Sequence, residues 1–239
     1  MMLDAAAGEA LWLSFRIAGV AVVWSLPLAF MLALALTHPR LPLTGRALLD
    51  ILVPLPLILP PVVIGYLLLV TLGHQAPLGH WLEAVFGIRF VFSWTGAALA
   101  AGVVSLPFQV RAIRLSIEAI DPRLLAAAAS LGAGSWHRLL RIILPLSLPG
   151  IVAGAMTAFA AALGEFGAII TFVSNIPGET RTLPLAIFTA LQSPGGEALA
   201  AQLDGLSVAL ALVVLLGADM LGRWLARRIG HRVTVPGKR

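Results

Sequence analysis

The chain has 239 residues, of which 59% are hydrophobic and 11% charged, with a formal net charge of +5. A soluble domain carries roughly 25% charged residues, and a disordered one combines low hydrophobicity with high charge; both classes are excluded, which leaves lipid as the solvent for much of the surface. There is no cysteine, so disulfides, thiol catalysis and thiolate metal sites are excluded as well. The five histidines, His38, His74, His80, His137 and His231, lie far apart and set up no metal-ligand spacing. Neither a metal nor a cofactor is expected.

A membrane-spanning helix needs about 20 mostly apolar residues. Five windows satisfy that, in chain order about 11–36, 51–72, 92–110, 148–172 and 206–224. The fold class expected is therefore all-α, a polytopic membrane helix bundle of five transmembrane helices in one domain over 1–239. Splitting the long first window, or counting a segment of an outer loop, would make six. Arg16 lies near the start of the first window and Pro27 inside it. The second contains Pro54, Pro56, Pro60 and Pro61, which break a helix in water and are tolerated in a membrane where protein or a water-filled path satisfies the freed carbonyls. That points to a position inside the bundle, or to a simple kink packed on protein. The connection 73–91 carries Trp81, Phe86 and Ile88 beside Glu83 and two histidines and reads as a short interfacial stretch. The connection 173–205 holds Pro177-Gly178, Pro184 and Pro194-Gly195-Gly196, which are turn signals, with a short helix expected around Leu185–Gln192.

Basic residues follow the topology. Arg40 and Arg46 lie between windows one and two, Arg111, Arg114, Arg123, Arg138 and Arg141 between three and four, and Arg223, Arg227, Arg228, Arg232, Lys238 and Arg239 at the end. The alternate loops hold only Arg89 and Arg181. The positive-inside rule places the first group in the cytoplasm, so the N-terminus is expected outside and the C-terminus inside. Asp4 and Glu9 precede the first window and no basic residue does, so that window is read as a retained helix rather than a cleaved signal peptide.

The loop 120–147 is the most informative segment. Asp121-Pro122 is an N-cap followed by proline at the first helical position. Leu124 to Leu131 favours helix, Gly132 and Gly134 end it, and Ser135 to Ile143 restarts before Pro145 and Pro149. Small side chains at Ala126 to Ala129 let another protein approach closely. An ordinary interfacial helix carries larger apolar residues on its lipid face.

The spacing is Ala127-Ala128, three residues, Gly132, nine residues, then Ile142-x-Leu144-Pro145. It resembles the EAA motif of ABC-importer permeases, with Ala126 standing at the family's glutamate position. The resemblance implies that this loop is the coupling helix seated in a cleft of the ATPase subunit, with Ala127, Ala128, Ser130, Leu131, Gly132, Gly134 and Trp136 at the contact. Three further runs are similar to the permease subunit of molybdate ABC importers, within the binding-protein-dependent transport inner-membrane component family. They are Leu55 to Tyr66, Phe92-Ser93-Trp94, and Leu163-Gly164-Glu165-Phe166-Gly167-Ala168 leading into Thr171 to Thr182. The related sulfate and thiosulfate permeases share the coupling loop and the Gly-Glu-Phe-Gly element; the Asn175 to Thr182 run favours molybdate, with tungstate and sulfate left open. What the resemblance implies is a type I ABC importer permease fold in the bacterial inner membrane. It also implies a homodimer around the path, two ABC ATPase subunits, and a periplasmic or extracellular molybdate-binding protein.

Glu165 is the one acid well inside an expected span, where charge is costly. It either shapes a gate or pairs with a basic residue across a dimer, or it pairs locally with Arg181. Thr171, Ser174, Asn175 and Thr180 supply neutral donors near the outer mouth and Arg181 adds positive charge, a set suited to a dianion or to ordinary loop contacts. Arg114 and Glu118 have the spacing of a helical ion pair. Gly150, Gly154 and Ala158 form a small-residue stripe for a seam within the bundle or between two copies. No Gly-rich phosphate loop is present, so the chain is not expected to be an enzyme and ATP is left to a partner. An ion-coupled transporter would need several ionisable residues at mid-membrane depth and two similar halves. An intramembrane enzyme would need a nucleophile with a base in reach; neither set is present in the sequence.

Overall fold

The computed structural model describes residues 5–38 and 41–230, with the side chains of residues 5, 218, 219 and 221–230 left aside. Asp4, Arg40, His231, Arg232, Lys238 and Arg239 lie outside the described residues. Twelve α-helices and one π-helical turn account for nearly all of the described chain. Helix α1 spans Ala5–Thr37, α2 Leu43–Leu52, α3 Leu55–Ile58, α4 Pro61–Leu72, α5 Pro77–Phe86 and α6 Trp94–Glu118. Helix α7 spans Pro122–Ser130 and α8 Ser135–Arg138, followed by the π turn Leu139–Ile143. Then come α9 Leu144–Leu163, α10 Gly167–Val173, α11 Leu183–Gln192 and α12 Glu197–Gly230. Among the described residues, four stretches are long and apolar enough to cross a membrane: Ala6–Thr37, Trp94–Glu118, Ser135–Leu163 and Glu197–Gly217. Counting the bent pair Leu43–Ile58 and Pro61–Leu72 as one span makes five.

Helix α6 is the centre of the bundle. Its buried surface is built mainly from Gly, Ala and Ser, including Gly96, Ala97, Ala98, Ala101, Gly102 and Ser105. Small residues let helix backbones approach closely where lipid supplies no hydrophobic drive to associate. Helix α1 packs along one side, where the Trp24 ring lies over Gly102 and its indole N–H donates to the Ala98 carbonyl at 3.2 Å. The buried Gln109 amide donates to the Ser25 hydroxyl at 3.0 Å. Helix α9 packs along the other side through Gly150 and Gly154: a Cβ at Gly150 would stand 2.6 Å from the Ala112 carbonyl oxygen, and one at Gly154 would stand 3.0 Å from the Gln109 Cα. The small-residue stripe is therefore a seam within one chain.

Two expected spans are broken rather than straight. The 51–72 window divides at Pro54 and again at Leu59-Pro60, and the two parts meet at 111°. Proline carries no amide hydrogen and clashes with the preceding turn, so four prolines within eight residues end two helices. The segment is not enclosed by its own chain. Helices α2 and α3 contribute no buried residue and α4 buries only Ile64 and Gly65, while Val62, Tyr66, Leu67 and Val70 are exposed. The 148–172 window is also broken. Its helix begins earlier, the π turn at Leu139–Ile143 carrying α8 into α9, so Pro145 and Pro149 lie within the span. It stops at Leu163, and Gly164 to Phe166 separate it from the short α10. The last helix starts at Glu197, earlier than the 206–224 window.

At the end of the bundle where α4 stops and α6 starts, α5 lies against the last turn of α4. Its Gly79 faces the Leu72 and Gly73 carbonyls with no room for a side chain. Glu83 accepts hydrogen bonds from His74 at 2.8 Å and from Arg89. These bonds, His74 first, hold the Glu83 carboxyl below its ordinary value of 4.5. The short helix expected near Leu185–Gln192 is α11, anchored where the Leu183 amide donates to the buried Ser14 hydroxyl of α1 at 2.7 Å.

Two outcomes follow from this packing. Gly154→Leu drives a side chain into the Gln109 backbone, and overpacking of this kind costs about 1–3 kcal/mol; the purified variant should unfold at a lower temperature than Gly150 and Gly154 together allow in the native chain. The lowered Glu83 pKa stabilises the 83–89 region above pH 4.5, and that contribution is lost as pH falls through the folded value below it. Hydrogen exchange of residues 84–92, corrected for intrinsic rates, should rise over that acid range, and Glu83→Gln should remove the dependence.

Candidate coupling loop and polar far-end loop

Two groups of nominated residues lie at different places. The first is the loop after α6. Arg114 closes the last turns of α6, donating to Glu118 at 2.8 Å and to Asp50 of α2. The expected helical ion pair is thus one arm of a three-residue link between α2 and α6. Two residues after Glu118 the chain leaves the bundle.

Asp121 caps α7, its carboxylate accepting the Arg123 amide at 2.8 Å, and Pro122 occupies the first turn where no amide is needed. At the other end the Gly132 amide donates to the Ala129 carbonyl at 3.0 Å and the Ala133 amide to the Ala128 carbonyl at 2.9 Å. Gly132 has φ of +84°. This is the Schellman termination, and it requires the left-handed conformation that glycine adopts without a steric penalty. The Ser130 hydroxyl turns back onto the Ala126 and Ala127 carbonyls, so it spends its donor within the helix.

Helix α7 buries none of its residues. Ala127, Ser130, Leu131, Gly132, Gly134 and Trp136 are exposed and Ala128 is half-buried. Leu131 is 89% exposed and Trp136 71%. A helix stopped sharply at both ends, with an alanine side and two projecting apolar side chains, stands clear of its own chain. Burial of Leu131 and Trp136 would each contribute roughly 1.5–3 kcal/mol.

The second group lies beyond the break after α9. Glu165 is 6% exposed, and its carboxylate accepts the Ala168 amide at 2.8 Å. It therefore caps α10 from inside the break and is not paired with Arg181. Helix α10 crosses α4 where neither can carry bulk: a Cβ at Gly65 would stand 2.6 Å from the Ala168 carbonyl oxygen, and one at Gly167 would stand 3.0 Å from Pro61. The Thr171 hydroxyl donates to the Gly167 carbonyl of its own helix.

The following loop is stapled to itself. Ser174 has φ of +66°, a strained value for a residue with a Cβ. The fully buried Thr180 holds it there, its hydroxyl donating to the Ser174 carbonyl at 3.0 Å and accepting the Ile176 amide at 2.8 Å. Asn175 accepts from Arg181 Nε at 2.9 Å and donates to the Thr189 hydroxyl of α11 at 2.7 Å. Of the donors nominated for an anion, the Ser174 hydroxyl and the remaining Arg181 nitrogens are the ones left uncommitted among the described residues.

Two of the clefts among the described residues are large. One, of about 960 Å³, lies between α9, α11 and α12 and is lined by groups such as Val152, Met156, Leu163, Leu210 and Val214. The other, of about 630 Å³, sits beside α5 with Glu83 and Glu179 against Arg89 and His74. The described residues contain no group of three or more His, Cys, Asp or Glu able to hold a metal.

Reasoning from sequence did not single out Ser14, Trp24, Ser25 or Gln109. Each is a polar or large residue in an apolar helix, and that is the signal that could have marked them as contacts between helices.

Comparison with known proteins places these features in a family. The chain is 52% identical over 223 residues to the molybdenum transport system permease protein ModB of Escherichia coli K12, covering 93% of this chain and 96% of that one. It is 48% identical, with the same coverage, to ModB of Haemophilus influenzae. To the sulfate transport system permease protein CysT of Escherichia coli K12 it is 35% identical over 89% of this chain and 76% of that one. Among solved structures, that of a bacterial ABC transporter importing the acidic polysaccharide alginate superposes with a TM-score of 0.73 at 20% identity, over 98% of this chain and 82% of that one. The MetNI methionine ABC transporter gives 0.65 at 16%, over 92% and 94%. The fold is that of type I ABC importer permeases. With a family model matched over residues 25–235 and relatives aligned over nearly the whole length, the chain belongs to the binding-protein-dependent transport system inner membrane component family.

Proposed function

We propose that the chain is the membrane permease subunit of an ATP-driven molybdate importer. The observation that carries the substrate is the 52% identity to a molybdenum transport permease over 93% of the chain, against 35% to a sulfate permease. In this reading the whole chain is one permease domain, and two copies meet to line the path. Separate ABC ATPases receive α7 in a cleft, and a periplasmic molybdate-binding protein delivers the anion to the far end. The arginine-rich loops face the cytoplasm, the N-terminus lies outside and the C-terminus inside.

Three physical arguments support it. Molybdate is a tetrahedral dianion, and a charge taken out of water needs donors throughout its passage. Of two large clefts in the single chain, one is lined mainly by apolar groups and the other sets Glu83 and Glu179 beside Arg89 and His74, which suits a path formed between two chains at the exposed face of α4 and the break at Glu165. Thr171, Ser174, Asn175 and Arg181 would then frame the outer gate, with Ser174 and Arg181 able to meet the anion while Glu165 holds α10 in place. Finally, the sequence holds no phosphate-binding loop, so nucleotide hydrolysis falls to the partner, and the free-standing α7 is the surface through which that partner would move the bundle.

The test is uptake in cells whose only oxyanion importer contains this chain. Molybdate should be accumulated, tungstate should compete nearly as well, and sulfate should compete poorly. Sulfate as the strongest competitor would reassign the substrate.

A further inference from the structure

Arg16 is the only charged residue of α1 between Trp12 and Met31. It lies on the exposed side of the helix. Trp12, Arg16, Val23 and Pro27 fall within an arc of about 60° at the helical repeat, and Trp12 and Val23 are 68% and 71% exposed. Phe15 and Val20 flank the arc and are exposed as well. The guanidinium carbon sits 3.6 Å from the centre of the Trp94 ring, the first residue of α6. No carboxylate pairs with Arg16 among the described residues.

A cation on an apolar stripe inside a membrane span is costly unless it finds an anion. The Trp94 face offsets part of that cost, but a ring supplies no counter-charge. The depth is informative. Trp94 opens α6, and tryptophan favours the headgroup level of a bilayer, within reach of a long basic side chain that extends toward water. Helix α5, at the same end of the bundle, turns Leu78, Trp81, Val85 and Phe86 outward on one side while Glu83 and its partners occupy the other, the pattern of a helix lying in the boundary plane. The exposed residues that share its side of α1 are aromatic and aliphatic groups, which suits a lipid better than a passing dianion.

We propose that Arg16, stacked on Trp94, binds the phosphate of an anionic phospholipid at the end of the bundle where α6 begins. The planar guanidinium presents paired donors to the phosphate oxygens, while Trp12 and Trp94 cover the glycerol and upper acyl region. This lipid fixes the height of α1 and α6 in the bilayer.

The experiment titrates the purified full chain in detergent with phosphatidylglycerol and reads bound lipid by native mass spectrometry. Arg16→Gln should weaken the first lipid about fivefold, the effect of one basic residue at a lipid surface. Trp94→Leu should weaken it as well. Arg16→Lys, which keeps the charge but loses the paired donors and the planar stack, should bind between the native chain and Arg16→Gln, and Arg123→Gln on the exposed α7 should change nothing. Equal binding by the native chain and Arg16→Gln would overturn the proposal, as would an equal loss in Arg123→Gln. Millimolar molybdate displacing the first lipid from the native chain would overturn it too, because the cation would then belong to the cargo.

Discussion

A helix that stops inside hydrocarbon leaves amide and carbonyl groups that water cannot reach, and each must find a partner within the protein. This chain breaks two apolar spans, at the prolines of the 51–72 segment and at Gly164 to Phe166. The two breaks are brought together: α10 crosses α4 at Gly65 and Gly167, where backbone meets backbone. The Glu165 carboxylate satisfies an amide at the start of α10, and Thr180 satisfies an amide and a carbonyl of the loop beyond it. The continuous helices α1, α6 and α9 form the frame around this pair, held in register by small-residue seams and by the Trp24 and Gln109 contacts. A rigid frame beside a paired set of broken spans is the arrangement through which motion at one end could alter a path at the other.

The loop after α6 obeys the opposite constraint. It is not packed against its own chain, its backbone finds local partners, and Asp121, Pro122 and Gly132 supply a sharp start and a sharp stop. With its geometry set locally, its side chains are free to serve a partner. This explains why alanines and an 89% exposed leucine occupy a segment that contributes nothing to its own chain's core. The position of the motif glutamate is taken by Ala126, and the local termination of α7 does not depend on it.

The same difference decides how much could be read from the sequence. The spans, the α7 turn and α11 follow from local composition and spacing: apolar windows, Asp-Pro, Gly132, and prolines around 183–192. The helix-and-glycine-turn shape of the loop 120–134 was legible for the same reason, because it is set by its own residues. The break at Glu165 was less legible. A window average sees an unbroken apolar run from 148 to 172, and only the backbone partner of the carboxylate reveals that the acid caps a new helix. The polar far-end loop was less legible for a different reason. Thr180 and Asn175 look like free donors in the sequence, yet Thr180 bonds back to the Ser174 carbonyl within the loop and Asn175 reaches Thr189 of α11. Tertiary partners of this kind leave no mark in a single sequence.

We propose above all that α7 is the surface on which a separate ATPase acts. The most direct test replaces Leu131 with a photo-reactive phenylalanine derivative in the assembled transporter and irradiates it. The account predicts covalent capture of the ATPase subunit from Leu131, and likewise from Trp136, with loss of coupled molybdate uptake in proportion to capture. Capture of no ATPase from either position, in complexes that still couple hydrolysis to uptake, would contradict it.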